Sequence, residues 1–253
     1  MHRFFVPPEW LAGRNVGDEV HLAGPVARQL ARVLRARPGE HIALLDDTGW
    51  AVEAVLQALA PGAATARIVS RTIPPTEPRL ELTLYQALPK HRKFDWILQK
   101  GTELGVSTFV PLITRHSDVR RGERSPDHKV ERWQRILGEA AEQSGRTRRP
   151  RVLGVQAFEE ACEAPPEGVL ALMPYEGEQE QSLAAVLQRH AAAPPRGVRL
   201  YIGPEGGYDP QEVAWARDRG VERVSLGPRI LRAETAALAA VAIVLYALGD
   251  AAS

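Results

Sequence analysis

Along the first 73 residues, apolar positions alternate with polar ones in short runs. Arg3–Val6, Glu19–Leu22, Glu40–Leu45, Ala51–Leu59 and Ala64–Ser70 read as strands. Pro7-Pro8, Gly13, Pro38-Gly39, Asp46-Asp47-Thr48-Gly49 and Pro61-Gly62 punctuate them. One helical run, Pro25–Leu34, interrupts the series. It would set Arg28, Arg32 and Arg35 on one face, where they could meet phosphate. Short strands so closely spaced predict a small barrel. Thr72-Ile-Pro-Pro-Thr-Glu-Pro78 then forms a stiff, extended linker, dividing residues 1–73 from 74–253.

After the linker the period changes, and strands alternate with helices. The expected strands are Leu80–Ala87, Val106–Ile113, Val152–Val155, Val169–Met173, Arg199–Ile202 and Arg223–Leu226. Between them fall helices over Lys90–Gly105, from a Ser125-Pro126 cap to Ser144, and over Phe158–Glu163, Ser182–His190 and Pro210–Arg219. A last helix runs over Ala233–Leu248. This alternation predicts an α/β unit with a mainly parallel sheet and helices on both faces. In the first helix Phe94, Ile97, Leu98 and Leu104 form the expected core stripe, with Lys93, Trp96, Lys100 and Glu103 pointing elsewhere. The last helix is apolar nearly all round, so burial on more than one side is expected, and a subunit interface is one way to achieve it.

The stretch Tyr201-Ile-Gly-Pro-Glu-Gly-Gly-Tyr208 joins a strand to a helix that opens Asp209-Pro210-Gln211-Glu212. A capping Asp, Pro at the first helical position and acid in the first turn fit a helix start. Glycine there lets a ligand approach the main chain. In open α/β sheets such strand ends bind ligands. Two more loops of this kind are expected at strand ends, Leu172-Met-Pro-Tyr-Glu176 and Leu226-Gly-Pro-Arg-Ile-Leu-Arg-Ala-Glu-Thr235. Together the three would pinch an uncharged aromatic ligand between backbone segments.

Composition narrows the chemistry. A single Cys162 excludes a disulfide framework and a multi-cysteine zinc site, and fits a reducing cytoplasm. The seven histidines lack metal-ligand spacing, so no metal is expected. The N-terminal residues lack a signal-peptide apolar core. The longest apolar run, Ala236–Leu248, is too short to span a bilayer, so no membrane partner is expected. No Gly-x-x-x-x-Gly-Lys-Ser/Thr loop, no Gly-x-Gly-x-x-Gly after a strand and no Gly-x-Ser-x-Gly elbow occurs, which disfavours three enzyme classes. Net charge is only +1, yet residues 90–151 carry 15 Lys and Arg against 8 Asp and Glu. That local excess predicts an anionic partner such as nucleic acid.

Several stretches resemble one bacterial family. They are Lys93 with Gln99-Lys-Gly-Thr-Glu-Leu-Gly-Val106, Glu142-Gln-Ser-Gly-Arg146, Ile202-Gly-Pro-Glu-Gly-Gly207 and Leu226-Gly-Pro-Arg-Ile-Leu-Arg-Ala-Glu-Thr-Ala236, with Arg3-Phe-Phe and Arg32-Val-Leu-Arg35 near the front. The family methylates uridine N3 of 16S ribosomal RNA and belongs to the SPOUT superfamily of knotted methyltransferases. The resemblance implies a PUA-like β-barrel over 1–73 that binds RNA, and a SPOUT α/β-knot domain with a deep trefoil knot over 74–253. It also implies S-adenosylmethionine as cofactor, a homodimer packed through the last helix, and 16S rRNA or the assembled 30S subunit as substrate. Carried over residue by residue, Leu172, Met173, Pro174, Ile202, Gly203, Pro204, Glu205, Gly206, Leu226, Gly227, Ile230, Leu231, Arg232 and Thr235 would bind the cofactor. Arg232 would supply the cation for a uridinate, with Glu205 or Glu234 as base or orienter and Arg229 and Glu103 in second line. Arg3, Arg32, Lys90, Arg92, Lys93, Lys100, Arg115, Arg120 and Arg121 would hold RNA. Two other readings stay open: a methyltransferase for another RNA or a ribose 2′-oxygen, and a non-catalytic RNA-binding assembly factor.

Overall fold

The computed structural model describes residues 1–60, 62–90, 92–117 and 127–249. The expected Ser125-Pro126 cap, Arg120 and Arg121 lie outside the described residues. The chain divides into two compact units, Met1–Glu77 with Ala141–Arg149, and Pro78–Ala140 with Pro150–Ser253. The 141–149 stretch, placed by the sequence reading with residues 74–253, packs with the first unit.

The first unit holds β1 (His2–Phe5), β2 (Glu19–Ala23), β3 (His41–Leu45), β4 (Ala51–Ala60) and β5 (Ala63–Thr72). They form one sheet in the order β1-β3-β4-β5-β2, with β1 parallel to β3 and the other pairs antiparallel. Alternate residues such as Phe4, Ile42, Leu44, Val52, Ala54 and Leu56 enter its core. The expected Pro25–Leu34 helix is two pieces. Gly24–Arg28 (α1) is α-helical, and Gln29–Leu34 winds as a wider π-turn that ends at Arg35 with φ 52°. The wider winding breaks the 3.6-residue period, so Arg28, Arg32 and Arg35 lose the common face that α-helical spacing predicted.

The second unit is a seven-stranded sheet, parallel throughout. Its strands are β6 (Glu81–Ala87), β7 (Thr108–Ile113), β8 (Arg151–Val152), β9 (Gln156–Ala157), β10 (Val169–Pro174), β11 (Gly197–Ile202) and β12 (Glu222–Val224). The order is β12-β10-β11-β6-β7-β8, with β9 also on β7. Successive side chains feed opposite faces. Leu170, Leu172, Val198, Leu200 and Ile202 join one core with α2 (Lys93–Leu104), α3 (Asp127–Ser144), α5 (Leu183–His190) and α7 (Ala233–Leu248). Ala171, Met173 and Tyr201 join the other with α4 (Phe158–Ala161) and α6 (Pro210–Arg217). The expected single strand Val152–Val155 is instead the two short pieces β8 and β9. Between them Leu153, Gly154 and Val155 stand opposite only Val110 and Pro111, and Pro111 has no N–H to donate.

Two departures concern apolar residues. Leu104, expected in the core, is 41% exposed, because it faces the open side of α7 instead of the sheet-facing core that buries Phe94, Ile97 and Leu98. On α7, Ala237, Ala240, Val241, Val244 and Leu245 are buried, while Ile243 and Tyr246 are 42% and 65% exposed. In the single chain this helix therefore leaves one side open. Leu104, Leu187, Ile243 and Tyr246 line an apolar groove of about 580 Å³ there.

Gly105 ends α2 with φ 116°, and its N–H returns to the Gly101 carbonyl at 3.0 Å. A Cβ at this position would meet Pro78 at 2.6 Å. Gly105→Ala is therefore expected to destabilise the protein by about 2 kcal/mol, from backbone strain and the clash. Thermal unfolding checks this; an unchanged melting temperature would show that both are relieved. Among the described residues no helix is long and apolar enough to cross a membrane, and no cluster of potential metal ligands occurs.

Candidate active site

Parallel pairing puts the carboxyl ends of β10, β11 and β12 on one edge of the sheet. The loops that leave them converge on a cavity of about 700 Å³. Pro174, Tyr175 and Glu176 come from the first loop, Gly203, Pro204, Glu205 and Gly207 from the second, and Leu226 to Arg232 from the third. This is a usual size for a small-molecule or cofactor site. Ile202, Leu226, Ile230 and Leu231 supply apolar walls, and backbone and carboxylate groups supply polarity. Gly207 is favoured as glycine by its φ of 72°, which strains any other residue, and the Glu176 carboxylate lies close beside it.

Acids anchor the start of α6. The Asp209 carboxylate accepts from the Gln211 N–H (2.8 Å), and Glu212 accepts from the Asp209 N–H (3.0 Å). Glu212 is 2% exposed, and its other oxygen accepts the Arg115 N–H at 2.9 Å. Nearby, the His116 Nδ1–H donates to the Gly207 carbonyl at 3.1 Å. The chain after β7 is thereby fastened to the glycine loop. The Asp-x-x-Glu spacing was legible as a helix cap; its second partner was not.

Three elements meet at Lys93, on the first turn of α2. Its Nζ lies 3.1 Å from Glu205 Oε1 in the glycine loop and 3.3 Å from Glu234 Oε2 in the first turn of α7. Burial pushes the Glu205 carboxyl up, but hydrogen bonds from its own N–H, from Lys93 and from the Lys90 N–H outweigh it and hold the group below the ordinary carboxylate value. The bond to Glu205 in turn raises the Lys93 ammonium, against lost hydration, and the Glu234 bond adds to that rise. Glu205 is thus an ionised carboxylate on the cavity wall, held from behind by a cation.

Arg232 stands at the start of α7 on the cavity wall. It is exposed, and its side chain makes no hydrogen bond or ion pair among the described residues. A structural salt bridge would have removed it from chemistry; its guanidinium instead stays available. Arg229 is exposed on the same loop. Glu103 lies elsewhere, paired with Lys100 at 2.8 Å.

Of the expected cofactor residues, Pro174, Ile202, Gly203, Pro204, Glu205, Leu226, Gly227, Ile230, Leu231 and Arg232 line the cavity. Leu172 and Met173 are fully buried beneath it, one in each core. Gly206 lies against His116, and Thr235 is exposed on α7. Of the expected RNA contacts, Arg3, Arg32, Lys90, Arg92 and Arg115 are exposed, and Arg115 reaches Asp209 at 3.4 Å. Lys93 and Lys100 are engaged by carboxylates. Tyr175, Glu176 and Tyr208, within the expected loops but not among the named cofactor residues, also line the wall, and sequence reasoning missed the link from Lys93 to Glu205 and Glu234. An N-terminal lysine on a helix carries no local sign of acids more than a hundred residues away.

The fold and cavity define a parallel α/β protein with a polar-apolar ligand site at its strand ends, and residues 76–245 match the model of the RNA methyltransferase domain family. The chain is 37% identical over 95% of its length to ribosomal RNA small subunit methyltransferase E of Synechocystis sp., covering 76% of that protein. It is 32% identical over 91% of its length to the Bacillus subtilis protein of that name, covering 88% of it. A crystal structure of ribosomal RNA small subunit methyltransferase E from Neisseria gonorrhoeae, bound to S-adenosyl methionine, superposes with a TM-score of 0.87 at 36% identity over 99% of both chains. The chain belongs to the ribosomal RNA small subunit methyltransferase E family.

Proposed function

We propose that this protein transfers the methyl group of S-adenosylmethionine to N3 of a specific uridine in 16S rRNA of the small ribosomal subunit. The observation that carries the reading is the juxtaposition of an ionised Glu205 and an unpaired Arg232 on one cavity. Residues 1–73 would act as a PUA-like RNA-binding barrel. Residues 74–253 would be the SPOUT catalytic domain, with its trefoil knot built from the loops of the cavity. The protein would work in the cytoplasm without a metal.

The cavity suits the cofactor. Aliphatic walls at Ile202, Leu226, Ile230 and Leu231 accept an adenine, and main chain at Gly203, Pro204 and Gly227 gives it close approach. Glu176 adds a negative charge for a cationic ligand. The bound cofactor supplies an electrophilic methyl carbon on a sulfonium. The protein supplies position and charge. Glu205 takes the proton from uridine N3, and its low basicity is offset as Arg232 stabilises the uridinate that forms. Lys93 holds Glu205 in place and links it to Glu234, the orienting acid. The target uridine must leave any base stack to reach the cavity.

Labelled S-adenosylmethionine with small ribosomal subunits from cells lacking the protein tests the reading, with nucleoside mass spectrometry of the product. Labelled 3-methyluridine in 16S rRNA is expected. Label in another nucleoside would move the target; no label, with no cofactor binding by calorimetry, would leave an RNA-binding assembly factor.

The groove between α5 and α7 supports a homodimer in the same reading. Tyr246→Asp with Ile243→Asp puts two charges on that apolar surface and should convert the dimer to monomer. Light scattering would read the mass; a dimer that survives both changes must use another face.

A further inference from the structure

One end of the first unit's sheet plays no part in the cavity chemistry. Strand registers place Phe5, Leu45, Ala51 and Thr72 in one row there. The Asp46–Trp50 turn closes the β3–β4 hairpin at that row, and the 145–149 stretch of the same unit packs against it. Both segments are built rigidly. Asp46 Oδ1 accepts from the Thr48 N–H (3.1 Å) and its hydroxyl (2.5 Å). Glu77 accepts from the Arg146 guanidinium (2.8 Å), the Thr147 N–H (2.8 Å) and the Arg148 N–H (3.1 Å). Arg148 Nη2 donates to the Thr48 carbonyl (2.9 Å), and the Arg149 N–H donates to Asp47 (2.7 Å).

This frame displays two aromatic rings among four guanidiniums. Arg71 lies over Trp50 with its carbon 5.5 Å from the ring centroid, and Arg149 lies over Phe5 at 5.0 Å. Arg148 runs along Gly49, and Arg3 along Gly145. Among the described residues only Arg149 of the four has a carboxylate partner, Asp47. Arg71 and Arg148 donate to the Arg14 and Thr48 carbonyls, which leaves their charge whole. Trp50 is 37% exposed beside them.

We propose that this end of the sheet is a stacking site for an unpaired RNA nucleotide, with the base on Trp50 and flanking phosphates on Arg3, Arg71 and Arg148. It deepens the reading above and rests on it only for the polymer being RNA. An aromatic face flanked by guanidiniums accepts any base and draws its affinity from stacking plus phosphate contact. An acidic peptide would use the arginines but not the indole face.

The test uses the full-length protein and two fluorescent single-stranded RNAs, one normal and one with the same backbone but abasic sites. Trp50→Ala should weaken the normal strand by about tenfold and leave the abasic strand unchanged, with Trp50→Phe recovering most of the loss. Equal weakening of both strands, or none of either, would overturn the site. Arg148→Ala provides a second reading: the slope of log affinity against log salt should fall by about one. An unchanged slope counts against the phosphate contact. Calorimetry of S-adenosylmethionine on the same variants separates the two proposals, since the cavity reading stands or falls on cofactor binding and methyl transfer by the unaltered protein.

Discussion

Arg232→Ala should lower methyl transfer by roughly 100- to 1,000-fold while leaving the cofactor bound and the oligomer intact, the usual loss when a preorganised group facing a developing negative charge is removed. The expectation rests on three structural facts. Arg232 lines the cavity, it sits at the N-terminal end of α7, and no carboxylate neutralises it among the described residues. Its positive charge is therefore free to meet a uridinate, and the start of the helix adds a favourable field of the same sign. Removing it also removes no partner, so no buried acid is stranded and folding should survive. Single-turnover methylation with calorimetry of S-adenosylmethionine separates the effects. A rate within a few-fold of the unaltered protein would take Arg232 out of the mechanism. A lost cofactor affinity with a normal rate at saturation would make it a binding residue.

Glu205→Gln should be of similar size, roughly 100- to 10,000-fold, because a positioned proton acceptor is replaced by a group that cannot take the proton. The pH dependence gives a sharper test. Glu205 is held below the ordinary carboxylate value, so it stays ionised as pH falls through the mildly acidic range. The unaltered protein should therefore keep its rate on this account well below neutrality. Lys93→Met removes one of the hydrogen bonds that lower Glu205, and it leaves the burial that raises it. The acid limb of the rate profile should move to higher pH. The same pairing bears on stability. A carboxylate with a lower folded than unfolded value stabilises the fold at pH above the unfolded value, and that contribution is lost as pH falls through the folded one. An acid limb that stays in place in Lys93→Met would show that a group other than Glu205, and not paired with Lys93, accepts the proton.

Much of the site was legible because its signals are local. The Gly-Pro-Glu-Gly-Gly turn and the Asp209-Pro210-Gln211-Glu212 cap lie within a few residues of one another, and glycine backbone freedom and helix capping act over that range. The strand-helix alternation likewise gave the order of elements in the second unit. Failures fell where a residue's role depends on what arrives from elsewhere. Leu104 matched a core stripe by spacing, yet it lines the open groove beside α7. Arg28, Arg32 and Arg35 matched a helix face, yet the helix widens after Arg28. Lys93 matched a basic segment suited to phosphate, and instead meets Glu205, 112 residues away.

The sequence by itself determined the identity and order of most elements, the loops at the strand ends and the uneven charge. Periodicity and capping need only neighbours three or four residues away, so they are written in the chain. The tertiary structure alone decided which of those loops share a cavity, which acid each basic residue meets, and which side of α7 stays open. Parallel pairing between strands far apart in sequence brings β10, β11 and β12 into one edge, and no local propensity encodes that pairing. An ion pair such as Lys93 with Glu205 exists only once α2 and the glycine loop have docked. Its effect on their ionisation follows from distance and burial, quantities that the order of residues does not contain.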